Sequence, residues 1–250
     1  MHALFEASVL NWVLVALAAF IIGLSKAGIK GIDMMNVTIM AIVFGGKAST
    51  GVVLPLLCLA DIMAVKHYHR HAQWDHFWKL LPWMVAGILV GVFVGKDLNE
   101  AVFRKVMAAI IILTVGVMLL LEFAKRISIP HNRFFVALMG LAAGFTTMLG
   151  NLAGAISNLY FLALRMPKND FIGMAAWVFL IVNLLKLPLQ VIFWKNITPA
   201  SLWIDLLLLP AIVLGFFAGI WLVAKIKDDS YRKIVILLTL IGAVFIFLKR

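Results

Sequence analysis

Charged residues are scarce in this sequence, and this scarcity indicates the environment in which the chain folds. Only 13% of the 250 residues are charged and 64% are hydrophobic, whereas a soluble globular domain carries about 25% charged residues. Cysteine occurs only as Cys58, which excludes an internal disulfide and lies in an apolar run, where inert packing is its expected role. Residues 1–7 contain no Lys or Arg, so we expect no cleaved signal peptide. These deficits predict a membrane protein rather than a soluble or disulfide-bonded one.

Long apolar runs occupy most of the chain. Each approaches or reaches the roughly 17–25 residues that a helix needs to span a bilayer. The runs lie at residues 78–95, 106–121, 171–185, 202–224 and 234–248. A net charge of +11 would suggest nucleic-acid binding in a soluble protein, but basic cytoplasmic loops explain it more simply in a membrane protein. We therefore expect a multi-pass protein of the cell (inner) membrane with no nucleic-acid partner.

One nine-residue stretch interrupts the apolar pattern near the start of the chain. It has the sequence Gly23-Leu-Ser-Lys-Ala-Gly-Ile-Lys-Gly31 and lies between the apolar runs 9–22 and 34–44. Glycine weakens a helix, and a lysine near the bilayer centre costs roughly 2.5–3.5 kcal/mol on insertion scales. Irregular polar backbone persists at this depth only where protein or a water-filled cavity surrounds it. This stretch, the first break, therefore predicts a discontinuous helix that lines a binding site for an anion.

The second half of the chain repeats landmarks of the first half. Two landmarks recur 121 positions later and four recur 128 positions later: Gly23 with Gly144 and Lys47 with Lys168, then Pro82 with Pro210, Gly87 with Gly215, Gly91 with Gly219, and Arg104-Lys105 with Arg232-Lys233. A second break, residues 144–152, then corresponds to the first, with Thr147 in the place of Lys26 and Asn151 in the place of Lys30. Duplicated transporter folds show internal repeats of this kind.

The predicted fold is an all-α polytopic membrane protein with two transmembrane repeats, residues 1–125 and 126–250, which together form one membrane domain. Each repeat contains a broken helix or helical hairpin and three transmembrane helices. Lys26, Lys30 and Lys186 are at membrane depth and are left out of the count of basic residues. With the basic loop 66–79 placed inside, hairpins that return to their side of entry make the repeats inverted, with 12 Lys and Arg residues inside and 7 outside. Full crossings make the repeats parallel, with 9 inside and 10 outside. The positive-inside rule favours the inverted arrangement.

Further segments add to the breaks and the duplication. They are Gly-Leu-Ser-Lys-Ala-Gly at 23–28, the stretch Pro55-Leu-Leu-Cys-Leu-Ala-Asp61, the basic loop before Trp74-Asp75, and Leu80-Leu-Pro82 followed by Gly87 and Gly91. In this order they resemble the sulfite exporter TauE/SafE family, also called the toluene sulfonate uptake permease family. The second break is less glycine-rich here than in many members. The resemblance implies a secondary transporter that exports or takes up a sulfur-containing anion such as sulfite, a sulfonate or sulfoacetate.

Candidate substrate-binding residues are the polar and glycine positions in and around the two breaks, together with one lysine in a later apolar run. They are Lys26, Gly28, Lys30, Gly31, Asn36, Thr146, Thr147, Gly150, Asn151, Ser157, Asn158 and Lys186. Lys26 and Lys30 share a face if their segment is helical, and the positive end of the half-helix that restarts near residue 31 would then assist anion binding. The alternatives are snorkelling of the lysines towards the headgroups and helix bridging by the small polar residues.

Two aspartates are candidates for coupling transport to a proton or another ion. Asp61 lies well inside its apolar span, and Asp33 follows the first break. Each has a structural alternative. Asp61 would pair with a lysine or backbone N–H of a neighbouring helix, and Asp33 would cap a helix or pair with Lys30.

Other functions receive less support. Among the loop histidines, only His67 and His71 share a helical face and no cysteine accompanies them, so we expect contact with anionic lipid and neither a metal nor a cofactor. An intramembrane enzyme would need a nucleophile–base or metal set that faces one cavity, and an anion channel is the remaining alternative. The expected partners are the lipid bilayer, a small anionic substrate and a coupling proton or ion. A homodimer, the identity of the anion and the direction of transport are left open.

Overall fold

The structure, a computed structural model, describes residues 8–123 and 133–248, and within these ranges it contains ten α-helices and no β-strand. The first five are α1 (Val9–Lys26), α2 (Asp33–Phe44), α3 (Gly46–Tyr68), α4 (Trp74–Lys96) and α5 (Glu100–Phe123). The second five are α6 (Arg133–Gly150), α7 (Ala153–Ala163), α8 (Lys168–Leu189), α9 (Pro199–Ala224) and α10 (Asp228–Leu248). A 3₁₀ turn, His69–His71, follows α3, and a π-helical turn, Gln190–Trp194, extends α8. The all-α prediction is confirmed.

Six of the helices in the described ranges are long and apolar enough to cross a bilayer: α1, α3, α4, α6, α8 and α9. An α-helix satisfies its backbone hydrogen bonds within the segment, which is the condition for a chain in hydrocarbon. Helix α2 is apolar but has only 12 residues, too short to cross alone. The multi-pass prediction is confirmed by these spans.

Each half of the chain has the same order of elements. A long helix, a break and a short helix come first, as α1–α2 and as α6–α7, and three longer helices follow. The short helix packs back against the long one in both pairs, so each pair is a hairpin. The predicted boundary between repeats, in the polar segment 122–133, falls almost entirely outside the described residues.

The long helix of each hairpin crosses a helix of the other half of the chain, and a glycine lies at each crossing. Gly23 of α1 lies so close to the Ile212 carbonyl of α9 that a Cβ atom there would overlap it, and Gly144 of α6 lies against the Met84 carbonyl of α4 in the same way. The glycines are 121 positions apart and the carbonyl residues 128 apart, which are the two offsets of the sequence repeat. Small residues permit such close approach of helix backbones.

The partner helices contribute glycines to the same crossings. Gly215 of α9 packs against the Phe20 carbonyl, and Gly87 of α4 packs against the Leu141 carbonyl. These pairs again repeat at 128 and 121 positions. Each hairpin therefore packs on the fourth helix of the other half, and these are the most extensive helix contacts in the described chain, followed by that of α3 with α8.

Two tyrosines reach the first break from the end of the helix bundle at which α3 ends and α10 begins, called the first end. Tyr68 Oη, at the end of α3, donates a hydrogen bond to the Ala27 carbonyl at 2.9 Å. Tyr231 Oη, near the start of α10, donates to the Gly28 carbonyl at 2.8 Å. Two elements that are far apart in sequence thus meet at adjacent carbonyls of one break.

The opposite, second end carries the α2–α3 junction. The Gly46 N–H donates to Glu100 Oε1 at 2.5 Å, and Asn196 Nδ2 donates to the Lys47 carbonyl at 3.2 Å. The start of α5 and the loop after α8 therefore lie beside this junction.

The distribution of loops bears on the orientation of the repeats. Segments 66–79 and 225–233 must lie on one side of the membrane in the inverted arrangement, and Tyr68 and Tyr231 bring both to the first end. His71, whose Nδ1 lies 3.2 Å from an Asp170 carboxylate oxygen, brings the start of α8 there as well. This placement agrees with the inverted arrangement, which stays a prediction with respect to the membrane.

Candidate functional site

The first break is made by two glycines in the left-handed backbone region. Gly28 has φ +123° and Gly31 has φ +99°, values that a residue with a Cβ atom adopts only with strain. Helix α1 ends at Lys26, residues 27–32 form turns, and α2 restarts at Asp33. The interruption predicted from the sequence is therefore present. Lys26 and Lys30 would share a face only if their segment were helical, and that condition is not met, because α1 ends at Lys26 and α2 begins at Asp33.

The second break uses asparagine for the same purpose. Helix α6 ends at Gly150, Asn151 has φ 56°, and α7 begins at Ala153. Asparagine is one of the few residues that adopt this region readily, since its short polar side chain finds local hydrogen bonds. The two breaks are therefore built alike although their sequences differ.

Both breaks line one cavity. It contains about 380 Å³ of unoccupied space, counting the part that opens to solvent. Its lining residues come from both hairpins and from α3 and α8: Lys26, Asp33, Asn36, Leu57, Thr147, Asn151, Ala153, Gly154, Phe179 and Asn183. The first residues of α2 and of α7 are in this lining, and neither helix has a side-chain N-cap hydrogen bond. Two positive helix ends thus reach the cavity.

Lys26 lies in the cavity wall as half of a buried ion pair. Its Nζ is 2.7 Å from Asp61 Oδ1, and both side chains are almost completely buried. The ammonium also lies over the ring of Phe179, 4.6 Å from its centroid, a cation–π distance. Asp61 is therefore the partner of a neighbouring helix's lysine, which is the structural alternative that the sequence left open.

Lys186 sits behind the opposite wall and bonds to neutral oxygens. Its Nζ donates to Asn151 Oδ1 at 2.6 Å, to Thr147 Oγ1 at 3.0 Å and to Asn183 Oδ1 at 3.2 Å. Asn183 in turn donates through Nδ2 to Asp61 Oδ2 at 2.7 Å. The two lysines and the aspartate thus belong to one hydrogen-bonded network that joins α1, α3, α6 and α8.

Lys30 and Asp33 lie near this network but do not pair with each other. Lys30 is buried and its Nζ lies 5.7 Å from the centroid of the Phe179 ring, which it shares with Lys26. Asp33 accepts a hydrogen bond from Ser25 Oγ and lines the cavity. Within the described residues no carboxylate lies within ion-pair distance of Lys30, so the Lys30–Asp33 pair, one of the alternatives for Asp33, is not formed.

Several predicted site residues serve the breaks rather than the cavity wall. Gly31 packs against Val235 and Thr239 of α10, and the Gly28 carbonyl binds Tyr231 as described. Thr146 and Gly150 are likewise turned into the protein. Thr146 Oγ1 donates to the Ala143 carbonyl at 3.2 Å, and Gly150 packs against Met107 and Leu152.

Polar atoms without partners surround the short helices. Asn36 Oδ1, Ser157 Oγ and both amide atoms of Asn158 are buried and find no hydrogen-bond partner in the described part of the chain. Of these residues only Asn36 lines the cavity. Ser157 and Asn158 follow Gly154 by three and four residues, about one turn along α7 from the cavity wall.

Five lining residues were absent from the sequence-based set: Leu57, Ala153, Gly154, Phe179 and Asn183. The signal for two of them was present in the helical period. Phe179, Asn183 and Lys186 fall at intervals of four and three residues and so share one face of α8. Leu57 gives no such signal, because an apolar residue in an apolar helix is indistinguishable from core packing.

The loop histidines take part in local structure. His71 Nδ1 lies 3.2 Å from Asp170 Oδ1, and His69 Nδ1 lies 3.2 Å from the Lys66 carbonyl. Gln73 Nε2 donates to the same Asp170 carboxylate at 3.0 Å. These contacts fasten the loop after α3 to the start of α8.

Comparison with known proteins identifies the family of this chain. A search of the curated proteins and of the solved structures finds no significant match. A family model described as sulfite exporter TauE/SafE matches residues 15–246, nearly the whole chain. Members of this family are membrane transporters of sulfur-containing anions, and this chain belongs to the sulfite exporter TauE/SafE family.

Proposed function

We propose that the protein is a secondary transporter of the cell (inner) membrane that moves a small sulfur-containing anion, such as sulfite, a sulfonate or a sulfoacetate-like compound. The anion would pass through the cavity between the two broken hairpins. The observation that carries this proposal is the joint lining of one cavity by Lys26 from the first break and by Thr147 and Asn151 from the second. In transporters built from repeats, interrupted helices in corresponding positions typically converge on the substrate.

The wall of the cavity has the chemistry that an oxyanion needs. Lys26 supplies a full positive charge, and the starts of α2 and α7 supply partial charges of about half an elementary charge each. Thr147 Oγ1 accepts its hydrogen bond from Lys186, which leaves the hydroxyl hydrogen free to donate into the cavity. The ammonium behind it polarises that hydroxyl and strengthens its donation.

Asp33 and Asp61 remain the proposed coupling residues. Asp61 holds Lys26 from behind the wall, and Asp33 lines the cavity itself. An entering anion would compete with both carboxylates for the same positive charges. Uptake of a proton by either carboxylate would relieve that competition, which is how a proton would be coupled to movement of the anion.

The proposal is tested by transport into proteoliposomes. Purified protein is reconstituted, and uptake of sulfite, sulfoacetate and thiosulfate is compared with uptake into protein-free liposomes. We expect saturable transport of at least one of these anions. In the variant Thr147→Val, affinity for that anion should fall by about tenfold, because a hydrogen bond to a charged group contributes roughly 1.5–3 kcal/mol.

Thr38→Val is the matched control. Thr38 lies in α2, and its hydroxyl donates to the Met34 carbonyl at 2.8 Å, outside the cavity lining. This variant should transport like the parent protein. Absence of transport of all three anions, or equal effects of the two threonine substitutions, would contradict the proposed function of the cavity.

A further inference from the structure

Two charged side chains line the cavity and three more contact its lining residues from behind. The formal charges of these five do not cancel. Three are lysines (Lys26, Lys30 and Lys186) and two are aspartates (Asp33 and Asp61). The formal sum is one positive charge. Because charge in a low-dielectric site must be compensated nearby, this sum limits the charge of the ligand that the cavity accepts.

Lys26 and Asp61 compensate each other. The distance of 2.7 Å between Lys26 Nζ and Asp61 Oδ1, with both side chains buried, defines a closed ion pair. The second carboxylate oxygen of Asp61 accepts from Asn183 at 2.7 Å. Lys26 can therefore donate an N–H hydrogen bond to a ligand, while the ion pair as a whole adds nothing to the net charge of the site.

Lys30 lies in the turn of the first break and Asp33 directly follows that turn. Their opposite formal charges also cancel. Neither forms an ion pair within the described ranges. They are three positions apart in sequence, Asp33 lines the cavity, and Lys30 lies over the ring of the lining residue Phe179. A ligand in the cavity therefore experiences both charges together.

Lys186 is left as the uncompensated charge. The amide of Asn183 is oriented by its donation to Asp61, and the amide of Asn151 by its donation through Nδ2 to the Thr50 carbonyl at 3.3 Å. Both amides must then turn their oxygens to Lys186, which donates to them and to Thr147. Three acceptors match the three N–H groups of an ammonium, and within the described chain no carboxylate lies within 4.0 Å of it.

We propose that the cavity selects monoanions over dianions, with Lys186 balancing the charge of the ligand and Asp61 setting the limit by neutralising Lys26. This inference rests on the proposed transport function and names its substrate class. Hydrogen sulfite and simple sulfonates are suited to such a site. A dianion, such as sulfoacetate or thiosulfate at neutral pH, would leave one charge uncompensated and would therefore enter together with a proton, as the proposed coupling allows.

Methanesulfonate and sulfate make a matched pair of probes. Both are tetrahedral sulfur oxyanions of similar size, and at pH 7.5 they differ by one charge. Binding of sodium methanesulfonate and sodium sulfate to the purified full-length protein is measured by titration calorimetry. The parent protein should bind methanesulfonate at least about tenfold more tightly, since one uncompensated charge in a low-dielectric site costs several times the thermal energy.

Asp61→Asn raises the charge of the site by one and should reverse or abolish this preference, a shift of about tenfold or more in the ratio of the two affinities. Asp205→Asn is the control. Asp205 is a buried carboxylate of α9 that does not line the cavity and has no hydrogen-bond partner in the described part of the chain. The same chemical change there should leave the affinity ratio as it is.

A double variant keeps the test decisive if Asp61→Asn alone does not fold. Lys26→Gln combined with Asp61→Asn removes both members of the pair, so the net charge is unchanged and the preference for methanesulfonate should persist at lower affinity. The inference is overturned if the parent protein binds sulfate as tightly as methanesulfonate, or if Asp61→Asn folds and keeps the parent's ratio. The absence of both binding and transport of any anion would instead contradict the proposed function, and the inference with it.

Discussion

The two breaks share one backbone plan but carry different chemistry. Each interrupts a hairpin at a left-handed residue, Gly28 and Gly31 in the first and Asn151 in the second. The first break contributes the cation Lys26 and receives a carboxylate from α3. The second contributes neutral oxygens and receives the cation Lys186 from α8. The two hairpins thus share a geometry, while their charges are distributed differently between breaks and flanking helices.

The attachment of the breaks differs as well. The carbonyls of the first break are bound by two tyrosine hydroxyls at the first end, from Tyr68 and Tyr231. The second break is joined instead to α3, where Asn151 Nδ2 donates to the Thr50 carbonyl. The two hairpins are thus held by contacts of different kinds, so a substitution can disturb one hairpin without the other.

The largest effect should come from substitution of Lys26, the cation of the first break. Lys26→Ala leaves Asp61 buried without its cation, and breaking such a pair costs roughly 3–5 kcal/mol of stability. Anion binding should fall at least about tenfold with it, since a charge-assisted contact is lost. Thermal unfolding in detergent and titration with the transported anion measure the two effects. Lys26→Arg should restore binding only in part, because a planar fork does not replace a compact ammonium.

The double variant Lys26→Ala with Asp61→Ala separates the two effects, because it removes both buried charges. It should recover most of the stability while anion binding recovers only in part. Exposed Lys105 of α5 provides the control, and Lys105→Ala should change neither property. Full anion binding by a folded Lys26→Ala variant would show that Lys26 does not belong to the site.

A smaller effect tests the shared backbone plan. Gly23→Ala and Gly144→Ala each place a Cβ atom on a carbonyl of the crossing helix, and overpacking of this kind costs about 1–3 kcal/mol. Because the two crossings have the same geometry, Gly23→Ala and Gly144→Ala should lower the free energy of unfolding by similar amounts. In the control Gly116→Ala nothing lies within 4 Å of the new atom, so stability should stay equal or rise. Loss at only one crossing would break the equivalence of the two hairpins.

The smallest effect concerns the attachment that only the first break has. Tyr231→Phe removes the hydrogen bond to the Gly28 carbonyl and should cost about 0.5–1.5 kcal/mol. Hydrogen exchange of the backbone around residues 27–32 should accelerate, while exchange around the second break stays as in the parent protein. Equal acceleration at both breaks would mean that the tyrosine holds the whole bundle and not one hairpin.

Much of the fold was predictable because a helix that spans a membrane must be apolar over its length, and such runs are visible in the sequence. Apolar runs of spanning length predicted the helices, and polar interruption of one run predicted the first break. The recurrence of Gly23 at Gly144 and of Gly87 at Gly215 predicted the repeat, since a helix crossing needs a small residue at a fixed position. The offsets of 121 and 128 are those at which the crossings recur in space.

The pairing of charges was not predictable in the same way. Sequence analysis named Lys26, Asp61 and Lys186 as candidates, but it left open whether each was a ligand, a coupling group or a structural partner. It also left open whether the segment between Lys26 and Lys30 is helical, and the structure has turns there, with Gly28 and Gly31 at positive φ. A sequence period describes one helix face, and it contains no information on which other helix that face meets.

The sequence by itself determined an all-α membrane protein with two breaks, a repeat and a surplus of positive charge near the first break. Tertiary structure alone decided that Lys26 is neutralised by Asp61 and that Lys186 bonds to Asn151 and Thr147, across 35 and 39 residues of sequence. The physical reason is that sequence patterns describe single helices, whereas these contacts form between helices. Hydropathy and glycine spacing act along a single helix, whereas a hydrogen bond forms only at about 3 Å, and that distance depends on how α1, α3, α6 and α8 are rotated and packed together.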